Sequence, residues 1–261
     1  MFRLFFATLV CCHLFLWEEV LMGKENTLVF VTPILDGKTN TLKEQLFYSD
    51  EEALLRDLKV SKYHRWIQSI NDTYFLVHQI EGENLQQSFD SLKEKISQGN
   101  STAIGLQNLY KDSLGIDIEK DNWIPQLNEL TEFMDMHIEN LNGDSSKEYC
   151  FVYPVLFSKK EKLLKLYEDK AVYYSEPIQN IYRFRGIDKT QIWLQESFGN
   201  IFIVVYQEII GSVAIARDKY LNSKEDALSK YLANLYSEIT GLPYEQLLPS
   251  LESLDDAEIL H

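Results

Sequence analysis

The sequence predicts an α+β protein in which one structural unit occurs twice in tandem. Three pairs of similar segments, in the same order in both halves, support this prediction. Residues 30–35 return as 151–156, residues 66–68 return as 193–195, and residues 108–110 return as 234–236. Because the spacing between the copies stays nearly constant across the three pairs, we infer a duplication with one short insertion.

Each unit is expected to begin with a strand and a helix. Residues 27–35 and 149–156 are short β-rich runs. In the first unit, residues 36–39 supply a turn and a helix N-cap, after which leucines recur at helical spacing. In the second unit a helical pattern continues to Pro177, because the residue before a proline disfavours helical geometry. The insertion is therefore placed near Pro177.

A hairpin and a second helix are expected to complete each unit. Residues 66–70 and 74–80 are predicted strands joined at Asn71-Asp72, and the copy turns at residues 198–200. Each unit then finishes with a Pro-x-Leu-x-x-Leu segment that starts at Pro125 or Pro249. A polar, turn-rich run at 142–147 is the predicted linker between repeats 22–141 and 148–261.

The first 21 residues are set apart by composition. Leu4 to Trp17 is almost wholly apolar, whereas Met22 leads directly into the first strand. Residues 1–21 are interpreted either as upstream codons included by a misplaced start or as a secretory signal or membrane anchor. Cys150 lies alone in the body of the chain, which favours a cytoplasmic protein; a secreted or anchored protein is the alternative if the segment is a genuine signal.

Composition and charge narrow the classes of partner. Of the 261 residues, 45% are hydrophobic and 25% are charged, as in globular proteins. The formal charge of −15 repels nucleic acid and anionic lipid, so we expect neither nucleic acid nor a membrane as a partner for the body of the chain. We expect a monomer, because two units in one chain supply an internal pseudo-twofold pair.

The order of strand, helix, hairpin and helix resembles the ferredoxin-like unit of the dimeric α+β barrel superfamily, which includes antibiotic-biosynthesis-monooxygenase-like (ABM-like) proteins. The resemblance rests on residues 31–38, their copy at 152–159, and the hairpins beginning at Trp66 and Trp193. It implies two tandem ferredoxin-like repeats whose sheets pack together as a pseudo-twofold α+β barrel around a central cavity. Family members include small oxygenases, heme-handling enzymes and decarboxylase-like proteins, so the resemblance leaves the chemistry open.

Strand alternation predicts which side chains line such a cavity, because successive residues point to opposite faces. On the first strands, Val29, Val31, Cys150 and Val152 are expected beneath the helices, with Phe30 and Phe151 toward the cavity. His78 is placed on the helix side. The predicted ligand-binding residues are Thr32, Trp66, Gln68, Tyr153, Trp193, Gln195 and Tyr206. The alternative interpretation is that these aromatic and amide side chains fill a sheet-to-sheet interface.

Few residues indicate catalytic chemistry. His64 lies two positions before Trp66, so both side chains are expected on the same face of the strand, and His64 is a candidate proton shuttle or heme ligand. No metal-binding or nucleophile motif occurs in the sequence, and we predict no metal and no required cofactor, with heme as a lesser alternative. The compact basic run Arg183-Phe184-Arg185 is a candidate carboxylate site, or else pairs with surface acids.

Three functions remain open at this point. The first is binding of a small apolar or aromatic ligand, with cofactor-free oxygenation as its catalytic form. The second is a noncatalytic protein-interaction module whose duplicated sheets make a stable core. The third is a heme-handling protein.

Overall fold

Two antiparallel sheets, one in each half of the chain, organise the molecule. The computed structural model describes residues 27–47, 51–121, 125–138, 145–222, 226–247 and 250–254. The predictions for residues 1–21 fall outside the described residues, as does the first half of the predicted linker, residues 142–144. The two sheets and their helices confirm the α+β class.

Strand β1 spans Thr27–Pro33, the hairpin consists of β2 (Val60–Ile70) and β3 (Thr73–Gly82), and β9 spans Ser250–Ser253. The first sheet has the strand order β1-β3-β2-β9. Asn71 and Asp72 form the hairpin turn with positive φ angles of 49° and 63°, which these residue types tolerate. Because β1 and β2 both run antiparallel to the β3 strand between them, this half has the split βαβ arrangement of the ferredoxin-like unit.

The second sheet repeats this arrangement in the order β4-β7-β8-β6, with β5 also paired to β7. Its strands are β4 (Leu127–Glu129), β5 (Met134–Asp135), β6 (Ser146–Pro154), β7 (Ile187–Ser197) and β8 (Asn200–Ile210). Register shifts occur at matching places in the two hairpins, between Val60 and Lys62 and between Ile187 and Lys189. The two halves thus share element order, strand order and a bulge position.

The last strand of each half pairs with the sheet of the other half. Strand β4 follows the first-half helices but pairs with β7, where Leu127 lies opposite Gln195. Strand β9 (Ser250–Ser253) follows the second-half helices but pairs with β2, where Leu251 lies opposite Gln68. Each Pro-x-Leu-x-x-Leu segment therefore contributes a strand to the sheet of the other half, and these two exchanged strands link the sheets.

Helices cover the outer faces of both sheets. In the first half these are α1 (Thr39–Phe47), α2 (Glu52–Asp57), α3 (Leu85–Ser97) and α4 (Ser101–Leu114). In the second half they are α5 (Lys160–Glu168), α6 (Lys170–Tyr173), α7 (Glu176–Arg185), α8 (Val213–Asn222) and α9 (Ala227–Thr240). Among the described residues, no helix has the length and apolar composition needed to cross a bilayer.

The inner faces of the sheets meet in a core of aromatic and aliphatic side chains. Phe75 of β3 and Phe202 of β8 pack edge to face with ring centroids 5.6 Å apart. Val31 lies opposite Val77 and therefore shares the inner face with Phe75. The prediction that Val29, Val31, Cys150 and Val152 lie beneath the helices was wrong. Phe30, Thr32, Phe151 and Tyr153 take that outer face instead.

Candidate functional site

A pocket of about 110 Å³ lies between the outer face of the second sheet and helices α7, α8 and α9. Its floor comes from strands β6, β7 and β8, and its walls come from the three helices and the turn after α9. The lining residues are Phe151, Tyr153, Ile178, Ile181, Tyr182, Arg185, Ile192, Val205, Gln207, Tyr220, Ser229, Leu232, Ala233, Tyr236 and Leu247. Apolar and aromatic walls with a few polar groups are typical of small-molecule sites.

Local sequence explains how α7 enters this site. The helix starts with Pro177 in its first turn, where the missing N–H costs nothing, and ends at Gly186 with φ of 80°. A side chain at Gly186 would be strained at this φ, and its Cβ would lie 3.2 Å from the Ile210 carbonyl oxygen. The glycine therefore lets the helix end against the sheet and places Arg185, its last residue, at the pocket.

Tyrosine side chains surround the pocket and hydrogen-bond to each other or to the main chain. The Tyr153 hydroxyl donates to the Leu247 carbonyl oxygen at 2.5 Å. The hydroxyls of Tyr182 and Tyr173 are 2.8 Å apart, and Tyr236 is hydrogen-bonded to Tyr167. Burial raises the pKa of Tyr153 and of Tyr182, so both phenols stay protonated at neutral pH. They act as hydrogen-bonding groups rather than as bases.

Arg185 supplies positive charge to the pocket. Its guanidinium carbon lies over the Tyr220 ring, 4.5 Å from the centroid. The charge acts on the Tyr153 and Tyr182 hydroxyls, where it opposes the rise in pKa caused by burial. Among the described lining residues, Arg185 is the one with a charged side chain, and Gln207 adds a neutral amide.

In the first half, the corresponding space beneath the helices is filled by a polar network. The imidazole of His78 lies 2.9 Å from the Thr32 hydroxyl and 2.9 Å from the Tyr63 hydroxyl, which also bonds to Tyr110. Burial, aided by the nearby Arg65 charge, lowers the pKa of His78 well below its ordinary value. His78 is therefore neutral at pH 7 and lies on the helix side, where strand alternation predicted it.

Arg65 completes this filled first-half site. Its guanidinium carbon lies 4.6 Å from the centroid of the Tyr63 ring and its Nη1 donates to Glu51 Oε2 at 2.9 Å. Both side chains of the ion pair are buried, with exposed fractions of 6% and 7%. Val205 of the second half occupies the position that matches His78, and Ile192 the position that matches Arg65. The smaller, apolar residues leave room for the pocket.

The predicted ligand-binding residues do not come together in one place. Trp66, Trp193 and Tyr206 lie on the inner faces of the sheets, whereas Thr32 and Tyr153 lie on the outer faces, beneath the helices of different halves. Of the predicted set, Tyr153 is the residue that lines the pocket. The Tyr206 hydroxyl donates to Glu208 Oε1 at 2.7 Å. Half-buried His64 contacts Trp66 edge-on at 5.8 Å.

The amides of Gln68 and Gln195 bind the edge strand of the opposite sheet. Gln195 Oε1 accepts from the Val31 N–H at 2.8 Å, and its Nε2 donates to the Val31 carbonyl at 2.7 Å. Gln68 makes the same two bonds, of 2.8 and 2.7 Å, to the Val152 main chain. Each glutamine thus satisfies an N–H and a C=O that β1 or β6 turns away from its own sheet.

Sequence reasoning missed most of the pocket residues, including Tyr182, Gln207 and Tyr220. One signal was present, because the run 183–185 was singled out as a candidate carboxylate site. Arg183 binds Asn180, Gln179 and the Met136 carbonyl, whereas Arg185 turns to the pocket. Among the residues that the structure describes, no three His, Cys, Asp or Glu side chains converge as a metal site would require.

A second concavity, between α1 and α4, is larger but less suited to a small apolar molecule. It encloses about 600 Å³, opens widely to solvent, and has Glu44, Glu51 and Asp112 in its walls. Ligand sites of this size usually bury most of the ligand against apolar walls. The pocket beneath α7, α8 and α9 is therefore the stronger candidate.

No protein-family model and no curated protein matches the chain. Similar solved structures include a candidate monooxygenase from Fusobacterium nucleatum subsp. nucleatum, at 11% identity over 82% of this chain and 86% of that chain, with a TM-score of 0.38. An anthrone oxidase-like protein has 11% identity over 88% of this chain and 91% of that chain, with a TM-score of 0.48.

A third similar structure is an uncharacterised ferredoxin-fold protein from Listeria monocytogenes related to antibiotic-biosynthesis monooxygenases. It has 13% identity over 86% of this chain and 92% of that chain, with a TM-score of 0.32. At such identities, and with TM-scores under 0.5, these likenesses carry no argument about this chain. The split βαβ order in both halves is the arrangement of the ferredoxin-like unit that the sequence predicts.

Proposed function

We propose that the protein binds one small aromatic ligand in the pocket of its second half. The observation that carries this proposal is the contrast between the halves. Beneath the first-half helices, Tyr63, Arg65 and His78 fill the space, whereas the second half has Thr190, Ile192 and Val205 at the matching positions and a pocket of about 110 Å³. A preformed pocket with ring-lined walls favours a flat, largely apolar molecule.

The volume limits the size of the ligand. An apolar cavity of roughly 150 Å³ holds a benzene molecule. A pocket of about 110 Å³ that opens to solvent therefore suits a single ring seated among the tyrosines, with any larger substituent directed toward the opening. We expect one ligand per chain, because the matching space in the first half is occupied by the protein's own side chains.

Filling the pocket tests this proposal. Ala233 lies buried on α9 and lines the pocket, so Ala233→Leu places extra methyl groups inside it at little cost in helix propensity. Asn234→Leu, at the exposed position next to it, is the matched control. The readout is the shift in melting temperature and the mass of the complex in native mass spectrometry with a panel of single-ring aromatics.

We expect at least one compound to bind the wild type and the Asn234→Leu variant with one-to-one stoichiometry and to bind the Ala233→Leu variant at least about tenfold more weakly, a change of ~1.4 kcal/mol. Equal binding by both variants would show that the ligand sits elsewhere. No binding by any form would favour the noncatalytic interaction module, the alternative proposal, which predicts no ligand-dependent shift.

A cofactor-free oxygenase is the catalytic form of this proposal. In such a reaction a CH₂ group attached to the aromatic ring of the substrate becomes C=O, one atom of O₂ enters the product, and the other leaves as water with the two hydrogens. The step needs an electron-rich anion of the substrate, and the Arg185 charge would stabilise that anion. Oxygen uptake that requires a bound ligand and falls in the Arg185→Gln variant would support it; binding without oxygen uptake would leave a binding protein.

Heme does not fit the pocket. A volume of about 110 Å³ is too small for a macrocycle. We also propose that the protein is a monomer, because each sheet finds its partner sheet within the same chain, and that it is cytoplasmic, which the lone Cys150 in the body of the chain favours. Light scattering coupled to size-exclusion chromatography would refute the monomer by returning a mass near twice 30.5 kDa.

A further inference from the structure

We infer that the ligand of the second-half pocket is a neutral aromatic carboxamide or lactam, whose N–H and C=O pair with the side-chain amide of Gln207. This inference rests on the proposed function and specifies the chemical class of its ligand. Three observations carry it: the position of Gln207 on the pocket floor, the hydrogen-bonding capacity of its amide, and the balance of charge beside the pocket.

Gln207 lies at one end of the pocket floor. The middle of the floor is an apolar row, in which Val205 of β8 lies between Phe151 of β6 and Ile192 of β7. Gln207 follows two residues later on the same face of β8, roughly 6.7 Å along the strand, because a strand rises about 3.3–3.4 Å per residue. A single ring seated over the apolar row therefore directs a substituent toward the amide.

The amide of Gln207 has unused hydrogen-bonding capacity. Among the described residues its half-buried side chain makes no hydrogen bond, although a primary amide offers two N–H donors and a carbonyl acceptor. Thr190 lies directly beside it on β7, and the buried Thr190 hydroxyl also has no hydrogen-bond partner in the part of the chain that the structure describes. Because buried polar groups in native proteins are nearly always hydrogen-bonded, this pair is suited to a ligand that brings a donor and an acceptor.

The first half differs at the matching positions. Tyr63 and Ile80 lie opposite each other there, in the register that Thr190 and Gln207 have in the second half. The Tyr63 hydroxyl is 2.9 Å from a ring nitrogen of His78, and the side chain of Ile80 needs no hydrogen bond. The available amide thus occurs in the half that has the pocket.

The positive charge beside the pocket is offset within the protein. Asp226, the N-cap residue of α9, accepts a hydrogen bond from the Ser229 N–H at 2.6 Å. The hydrogen bonds from Ser229, and to a lesser extent the positive charge of Arg185, lower the pKa of Asp226, which is therefore ionised at pH 7. Because Arg185 already interacts with this carboxylate, a ligand anion would gain less from Arg185 and would be repelled by Asp226. A neutral ligand is favoured.

Two other glutamines show how this protein uses a primary amide. Gln195 accepts a hydrogen bond from the Val31 N–H and donates one to the Val31 C=O, and Gln68 does the same to the main chain of β6. Each amide binds an N–H and a C=O that are presented side by side. A carboxamide or lactam offers such a pair to Gln207, and the second N–H of Gln207 remains available to the hydroxyl of Thr190, its cross-strand neighbour.

The test uses three single-ring probes of nearly the same shape. Benzamide is neutral and has a donor and an acceptor, acetophenone keeps the acceptor alone, and benzoate is an anion. Their affinities are measured by NMR titration at pH 7 for the wild type and for the Gln207→Met, Thr190→Val and Gln246→Met variants. Gln246→Met is the matched control, because Gln246 is exposed and precedes the lining residue Leu247. Melting temperatures report whether each variant is folded.

We expect benzamide to bind the wild type at least about tenfold more tightly than acetophenone or benzoate. Gln207→Met should remove the preference over acetophenone and leave acetophenone binding within about threefold. Thr190→Val should reduce the preference in part, as expected of a residue that positions the amide, and Gln246→Met should keep all of it.

Acetophenone or benzoate binding as tightly as benzamide would overturn the carboxamide inference and leave the pocket as a site. A preference that survives in Gln207→Met would overturn the role of Gln207. Failure of the three probes while other aromatics of the panel bind would overturn this inference alone, whereas failure of the whole panel would overturn the proposed function as well.

Discussion

The reciprocal glutamine contacts give the sharpest prediction about stability. In the Gln195→Met variant the side chain keeps nearly the same length and volume but loses its amide. The Val31 N–H and C=O would then be left without the bonds of 2.8 and 2.7 Å that they make now. Both main-chain groups are buried, because Val31 is fully inaccessible to solvent.

The expected cost follows from these two groups. Leaving a buried donor or acceptor unsatisfied costs about 1–3 kcal/mol, so the loss of both bonds should lower the free energy of unfolding by about 2–6 kcal/mol. Gln68→Met should cost a similar amount, because Gln68 makes the same pair of bonds to Val152. Gln86→Met, at an exposed position on α3, is the control and should change stability by less than about 0.5 kcal/mol.

Urea denaturation followed by tyrosine and tryptophan fluorescence measures these differences. The slope of the unfolding free energy with urea should stay constant, because both variants expose the same surface on unfolding. If either inner glutamine variant is as stable as the wild type, the amides do not satisfy the edge strands as we argue. Recovery of stability on adding a small molecule would return Gln68 and Gln195 to the candidate ligand-binding residues.

Three further predictions concern the buried network and the exchanged strands. The free energy of unfolding should fall below about pH 6.5 by up to ~1.4 kcal/mol per pH unit, because the imidazole of His78 binds a proton in the unfolded chain but not in the native protein. His78→Gln should flatten this slope relative to His64→Gln, and equal slopes in the two variants would contradict the prediction. Glu51→Gln should cost about 3–5 kcal/mol, because buried Arg65 loses the carboxylate that it binds at 2.9 Å. Glu52→Gln, next to it in an exposed pair, should cost under about 1 kcal/mol, and equal melting temperatures would refute this. Leu127→Ala and Leu251→Ala should each lower the unfolding free energy by about 2–4 kcal/mol, since both leucines are buried on exchanged strands, and a loss confined to one of them would contradict a reciprocal exchange.

Strand alternation predicted the hairpin faces correctly and the first strands incorrectly, for one physical reason. In β3 the inner Phe75 and the outer His78 differ enough in chemistry to show which face is which. In β1 the residues from Leu28 to Val31 are all buried, so both faces are apolar and the sequence does not distinguish them. A strand covered on both sides carries no amphipathic signal from which its orientation is predictable.

The pocket was less predictable than the fold. Arg185, Tyr220 and Ala233 come from three helices that converge only in the packed structure. No spacing along the chain marks them as a group, whereas Trp66 and Trp193 stood out because the internal similarity aligns them. The similarity identified what the halves share, and the candidate site lies where they differ, at positions such as Arg65 and Ile192.

The exchange of β4 and β9 makes the two halves dependent on each other for folding. Each half on its own would leave β2 or β7 with an unpaired edge and would carry a terminal strand with no sheet to join. We expect the chain to unfold as one cooperative unit, and a severed half to recover a complete sheet only by pairing with another copy. The two halves of such a protein cannot fold as independent domains. Their sequences can nevertheless diverge, because the exchanged strand of each half stabilises the sheet of the other.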